Sequence, residues 1–380
     1  MYSFNSEKKV FSIRLKSSEY LMRIDDVGRL VHCYWKPVEA HLKDIDYPQW
    51  EIPFGSSRPD ELLCFGDTCM DQIALKAEFA DVNGNCLRDI RLRYQSHDIV
   101  ANKRNPYEAQ HGLSTKRDIG DALVITMFDE LAALTVRLVY RACPTEDIIE
   151  RWVEVENAGK VDIRFDQVFS ASLHLPTYYK EIHSVDGAWG REFNHKKTLL
   201  ETGKFRLEKR GFKTGHNQNP FFLVNRPAEA SEEHGTVYFG QLSYSSHWAF
   251  EFELLSSGLV NVFAGENDCD FELILPPGEK HVTPILLAGV TASGWGDASR
   301  QMHRFIRDYR LVHEGRFCEA RPVLFNSWLE TRTGIDSKRQ LLFADKAAEL
   351  GIELFCVDAQ WYAVCDDSFQ TGLGDWTVCS

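Results

Sequence analysis

The sequence predicts a mainly β chain: a large antiparallel β-sandwich, then a linking helix, then the first β-α-β unit of an incomplete α/β domain. Three observations predict it. From the N-terminus to about Thr291 apolar residues recur with a period of two. Turn-forming pairs punctuate that stretch at short intervals. Near Ala298 the grammar changes to a helical repeat followed by strand, helix and strand.

The elements follow in order. Leu134, Val136, Leu138 and Tyr140 alternate with Thr135, Arg137 and Val139, and Trp152 to Glu156 continue the pattern before a turn at Asn157-Ala158-Gly159. Such alternation sets one strand face on a core and the other toward water. Further strands are predicted at 237–243, 248–254, 259–264, 271–275 and 282–287. Asn83-Gly84, Asp186-Gly187, Ser257-Gly258 and Pro276-Pro277-Gly278 supply turns. Many short strands with few helices indicate an antiparallel sandwich. Met302, Phe305, Ile306 and Tyr309 recur at helical spacing, which predicts a helix over 299–311. Residues 323–328 form a short apolar strand. Residues 337–350 form a helix capped by Asp336 or Ser337 and stopped by Gly351, and 352–357 form a second strand. This divides the chain into a sandwich over 1–297, a helical linker over 298–320 and the α/β opening over 321–380. The last segment is too short for a (β/α)8 barrel, which needs roughly 250 residues. A lone parallel pair also cannot cover both of its faces.

Composition narrows the function classes. Lys and Arg total 43 against 56 Asp and Glu, a formal charge of −13. Such a surface repels phosphate backbones, so no nucleic-acid partner is expected. No apolar run of transmembrane length occurs and Lys8-Lys9 precede no signal-type stretch, so no membrane partner is expected. The 10 cysteines are scattered without a C-x-x-C pair. They read as reduced structural residues of a cytoplasmic protein.

The densest set of chemistry-bearing residues lies at the ends of the two parallel strands: Asn326 and Trp328 after the first, Asp358 and Trp361 after the second. Asp375 and Trp376 add another pair downstream. In α/β barrels the C-terminal strand ends form the site face. Indoles stack on the apolar face of a pyranose, while Asp and Asn bond its hydroxyls. The competing reading, of equal weight on composition alone, makes the tryptophans rim packing and Asp358 a cap. A second polar cluster, Gly215 to Phe221 around His216, reads better as a satisfied turn. Arg191 and Glu192 in GAWGRE read as a structural pair on a strand. Asp366-Asp367 reads as a solvated turn. No nucleophile elbow, phosphate loop, dinucleotide fingerprint or H-E-x-x-H motif is present, so neither cofactor nor metal is expected.

These segments together resemble glycoside hydrolase family 36, the α-galactosidase (melibiase) family. RPVLFNSW resembles the family's first barrel strand, RPV-x-x-N-x-W. AAELGIELFCVDAQW resembles its AAELGIELFVLDDGW, and LGDW recurs unchanged. GAWGRE, GFKTGHNQNPFF and HGTVYFGQLSYS resemble parts of the family's N-terminal β-supersandwich. The resemblance implies a β-supersandwich followed by the start of a (β/α)8 catalytic barrel. It further implies a retaining hydrolase of terminal α-galactosyl residues on oligosaccharides, with Trp328 stacking on the sugar and Asp358 bonding the 4- or 6-hydroxyl. The family's catalytic Asp residues lie on later strands, the nucleophile in a K-W-D segment. No K-W-D occurs here, so no catalytic residue is assigned before Ser380. Where the commonest family form reads D-D-G-W, this chain reads Asp358-Ala359-Gln360-Trp361. Loss of the second carboxylate bears on which sugar is bound. Two other readings stand beside this one: a non-catalytic carbohydrate-binding sandwich, and a module for contacts between copies of the chain in a homo-oligomer.

Overall fold

The computed structural model describes residues 1–37, 58–66, 71–110, 120–176, 178–211, 213–311, 321–332, 334–362, 373–374 and 376–378. They divide into two compact units, Met1–Leu311 and Val312–Ser380.

The first unit is built from antiparallel sheets. A ten-stranded sheet runs, edge to edge, Arg191–Leu199, Glu181–Ala188, Gln218–Asn225, Val237–Ser243, Ile285–Thr291, Ile148–Asn157, Leu134–Cys143, Ala122–Asp129 and Arg93–Val100, with Lys280–Val282 pairing on Ile148–Asn157. A seven-stranded sheet is centred on Val260–Glu266 and the long strand Ile163–Leu175. A four-stranded N-terminal sheet completes the layers. Phe11, Tyr20, Val153, Phe165, Phe169, Phe250 and Val262 are among the buried side chains of the main core. The strand Ile148–Asn157 departs from simple alternation because it is covered on both faces. Ile149, Val153 and Val155 join the main core, while Ile148 and Trp152 join a second cluster with Ala298, Met302 and Phe305 of the helix Gly294–Phe305.

Predicted strands 237–243 and 248–254 are found as Val237–Ser243 and Trp248–Leu254. The strand expected over 282–287 is split into Lys280–Val282 and Ile285–Thr291. Pro284, which has no N–H, falls in the break. Beside it, Thr283 exchanges bonds with Val153 through its N–H and its Oγ1. The helix expected over 299–311 starts earlier, at Gly294, and its last turn widens into a π-turn over Ile306–Arg310. Gly294 has φ +81°, and a Cβ there would meet Ser231 O at 2.5 Å. That close approach explains glycines at a helix start where propensity argues against them. The His216 segment is a hairpin turn bridged between Gly215 and Gln218, as the turn reading expects. Arg191 and Glu192 do not pair as expected. The Glu192 carboxylate accepts the Gly190 N–H instead and fixes the hairpin tip.

In the second unit Leu324–Asn326 and Leu354–Cys356 pair in parallel, joined by the helix Ser337–Glu349. Asp336 caps that helix by accepting the Arg339 N–H, and Gly351 follows it with φ +79°. Phe325 stacks on Phe355 at 5.4 Å and meets Phe343 at 6.1 Å. The first strand is shorter than expected. It ends at Asn326, and Trp328 opens a single helical turn, Trp328–Thr331, rather than ending the strand. Leu341, Leu350 and Leu354 remain exposed, as expected of a parallel pair that no further strand extends among the described residues. Asp366 and Asp367 lie outside the described residues.

Candidate substrate-binding site

Residues from both parallel strands converge at their C-terminal ends. Asn326 closes the first strand, and its side chain works in two directions. Its Nδ2 donates to Asp358 Oδ2 at 2.7 Å, and its Oδ1 accepts the Trp328 N–H at 2.8 Å. The second bond is an Asx-type turn, which pulls the chain out of the strand and sets the helical turn that carries Trp328. Ser327, fully buried, extends the strand pairing by donating its N–H to Cys356 O at 3.0 Å. Its Oγ accepts the Asp358 N–H at 3.4 Å.

Asp358 is exposed, and among the described residues no second carboxylate shares these hydrogen bonds. Its carbonyl accepts from Trp361 Nε1 at 3.2 Å, which fixes that indole. Trp361 stacks on Trp376 with centroids 6.2 Å apart and an interplanar angle of 29°. Tyr362 meets Trp376 edge-on at 5.2 Å. Gln360 sits between Asp358 and Trp361 with φ +68° and is buried. The structure therefore groups Asn326, Asp358, Trp361 and Trp376, with Trp328 tied to the group through its backbone. Asp375 lies outside the described residues. An exposed carboxylate braced by an amide, beside a stacked and partly open pair of indoles, can accept hydroxyl hydrogen bonds and offer a flat apolar surface. Among the described residues it supplies no pair of carboxyls for acid–base work. Among the described residues no cluster of His, Cys, Asp and Glu could hold a metal ion, and no helix is long and apolar enough to cross a membrane.

Sequence reasoning missed a feature of the first unit, a cavity beside the helix Gly294–Phe305 that is lined by His195 and Trp295. Its signal was present in His183 and His195, each on the face of its strand that also carries apolar residues. Without the strand pairing, nothing in the sequence places them together.

Residues 28–276 match the Glycosyl hydrolase family 36 N-terminal domain, and residues 280–380 match Melibiase. The chain is 30% identical over 392 residues to α-galactosidase AgaA of Geobacillus stearothermophilus, covering 99% of this chain and 52% of that protein. It is 27% identical to α-galactosidase Mel36A of Lactobacillus acidophilus, covering 100% of this chain and 53% of that one. The crystal structure of α-galactosidase AgaB from Geobacillus stearothermophilus superposes with a TM-score of 0.86 at 29% identity, over 100% of this chain and 53% of that one. The chain thus spans about half the length of the curated relatives it matches. With matches across both units and a structural likeness over its whole length, the chain belongs to glycoside hydrolase family 36.

Proposed function

We propose that these residues belong to a retaining α-galactosidase that hydrolyses terminal α-galactosyl residues from oligosaccharides, and that the strand-end group binds the galactosyl unit. The observation that carries this reading is the Asn326–Asp358 hydrogen bond across the ends of adjacent parallel strands, with the Trp361–Trp376 stack beside it. Relatives support the substrate class: variants of AgaA, 29% identical to this chain, have been solved in complex with raffinose and with stachyose. In this reading the sandwich of 1–297 leads through 298–320 into the barrel opening at 321–380. Asp358 accepts a sugar hydroxyl, Asn326 holds the carboxylate in place, and Trp328 and Trp361 stack on the ring, with Asp375 and Trp376 in the following loop. Ala359 leaves the site one carboxylate poorer than the commonest family form.

Retaining hydrolysis needs a nucleophile and an acid/base carboxyl about 5–5.5 Å apart. We assign both to positions outside the 380 residues, because the family resemblance implies later barrel strands for both and the nucleophile's K-W-D segment does not occur among them. The test uses two proteins: this chain alone, and the chain continued through the second half of its relatives' length. The chain alone is expected to show no turnover of p-nitrophenyl α-galactoside. The longer protein is expected to release galactose first as the α-anomer, seen by NMR. Turnover by the chain alone, or release of the β-anomer by the longer protein, would overturn the assignment.

A further inference from the structure

A cavity of about 500 Å³ lies on the outer face of the ten-stranded sheet, wholly within the first unit. That is within the range of small-molecule sites, roughly 300–1,000 Å³. Its floor is one pleat face. Val185 pairs with His195, and Phe221 pairs with Gln241, so their side chains share that face. Its wall is the helix Gly294–Phe305, which contributes Trp295, Ser299 and His303.

We propose that this cavity is a second carbohydrate site, one that takes a neutral mono- or disaccharide and is separate from the barrel rim. The inference does not depend on the rim being catalytic.

Three observations support it. The lining combines aromatic rings, Phe193, Phe221 and Trp295, with amides and a hydroxyl, Asn219, Gln241 and Ser299, and a carboxylate, Glu232, that can accept from sugar hydroxyls. Among the described residues the side chains of Asn219, Gln241 and Ser299 make no hydrogen bond within the protein, so donors and acceptors remain for hydroxyl groups. Such a mixture suits a ring with an apolar face and polar edges.

The second observation is preorganisation. Trp295 Nε1 donates to Asn225 Oδ1 at 3.1 Å, and Asn225 Nδ2 donates to Glu181 Oε1 at 3.0 Å. Glu181 Oε1 lies 3.0 Å from His183 Nε2, and His183 Nδ1 lies 2.8 Å from His195 Nε2. This chain of hydrogen bonds starts and ends on cavity-lining rings. Lys197 Nζ packs over the Trp295 ring at 4.5 Å and holds it further. Rings fixed in this way cost little entropy on binding. Burial lowers the pKa of both His183 and His195, which favours an uncharged histidine pair behind the cavity wall.

The third observation is strain. Phe193 has φ +58° on the outermost strand and leaves its side chain 75% exposed at the cavity. A bulky aromatic in the left-handed region is unfavourable, and such residues gather at ligand sites.

The experiment titrates the 380-residue chain with galactose, melibiose and maltose by calorimetry. At least one sugar is expected to bind with a millimolar Kd. The double variant Asn219→Ala/Gln241→Ala and the single variant Phe193→Ala should each weaken that binding by about 10-fold or more, about 1.4 kcal/mol. Phe193 is exposed and its replacement spares the core, so one variant folds even if the other does not. The titrations are run in the Asp358→Asn background, which disables the rim group, so that the binding read is that of the cavity. Three results would overturn the proposal: no binding at tens of millimolar in that background, binding unaffected by both cavity variants, or a concentration-dependent dimer abolished by Phe193→Ala. The last would assign the cavity to a second copy of the chain.

Discussion

Asn326 holds Asp358 while its own carbonyl oxygen shapes the turn that carries Trp328, so one side chain sets two others. The same economy appears at Gln360. Its left-handed φ of +68° is where the family's commonest motif has glycine, the residue for which that conformation carries no Cβ penalty. For any other residue it costs about 1–2 kcal/mol. Gln360→Ala and Gln360→Gly both remove the buried amide, but only the glycine relieves the backbone. Gln360→Ala is therefore expected to be the less stable by about 1 kcal/mol, read from urea unfolding of the two variants. Equal stability would show that the backbone is not strained. Titration adds a second prediction. Burial alone would raise Glu61, but Arg151, His32 and the Tyr140 hydroxyl outweigh it and hold its carboxyl at about 2, below the ordinary 4.5. Burial lowers His174 to about 4 from 6.5. The unfolded chain thus takes up protons that the folded chain refuses, at His174 between pH 6.5 and 4 and at Glu61 between 4.5 and 2. Stability should fall steadily below about pH 6.5, and melting curves at pH 7, 5 and 4 test it. A melting temperature constant from pH 7 to 4 would contradict that. Asp358 and the tryptophans stood out in the sequence as one strand-end set, but on composition alone rim packing had equal weight, and a binding role was suggested only by the family resemblance. The Glu61 and His195 networks were not legible there, since Glu61 is 79 residues from its partner Tyr140 and nothing local marks the pair.

At the scale of elements, the helix Gly294–Phe305 owes its seat to more than its apolar face. Arg310, at the end of its π-turn, meets Glu108 at 2.9 Å and also pairs with Glu150. Arg141 bridges the same two carboxylates at 2.5 Å each. All four groups are buried, and burial lowers Arg310 to about 10. Removing one partner from such a set leaves an uncompensated buried charge. Glu108→Gln should cost about 3–5 kcal/mol and speed hydrogen exchange across Ile306–Leu311. Unchanged exchange there would mean that packing of Met302 and Phe305 alone holds the turn. The repeat of Met302, Phe305 and Ile306 made this helix legible. Its first turn was hidden by Gly294 and Gly296, whose presence answers to the loop at Ser231 and Glu232 rather than to helix propensity. Likewise the Thr283-Pro284 break was written in the proline, but its partner Val153 was visible only in the fold.

For the molecule as a whole, the order of textures along the chain gave away a sandwich followed by an α/β opening. The strand order did not show, because pairing is non-local: Ile163–Leu175 joins Leu75–Ala80 on one side and Val260–Glu266 on the other. Among the described residues the first unit has its own sheets and three buried clusters. Residues 1–311 are therefore expected to unfold cooperatively on their own; a broad transition with strong hydrophobic-dye binding would refute this. The central claim is that the strand-end group is the galactosyl-binding site. It is tested most directly in the longer protein by measuring kcat/KM for an α-galactoside together with melting temperature for Asp358→Asn and Trp328→Ala. Binding groups of this kind act on ground and transition states alike. Each variant is expected to lose roughly 10- to 100-fold in kcat/KM, equivalent to about 1.4–2.8 kcal/mol, with the melting temperature nearly unchanged. Unaltered kinetics with a large fall in melting temperature would show that these residues only pack the rim.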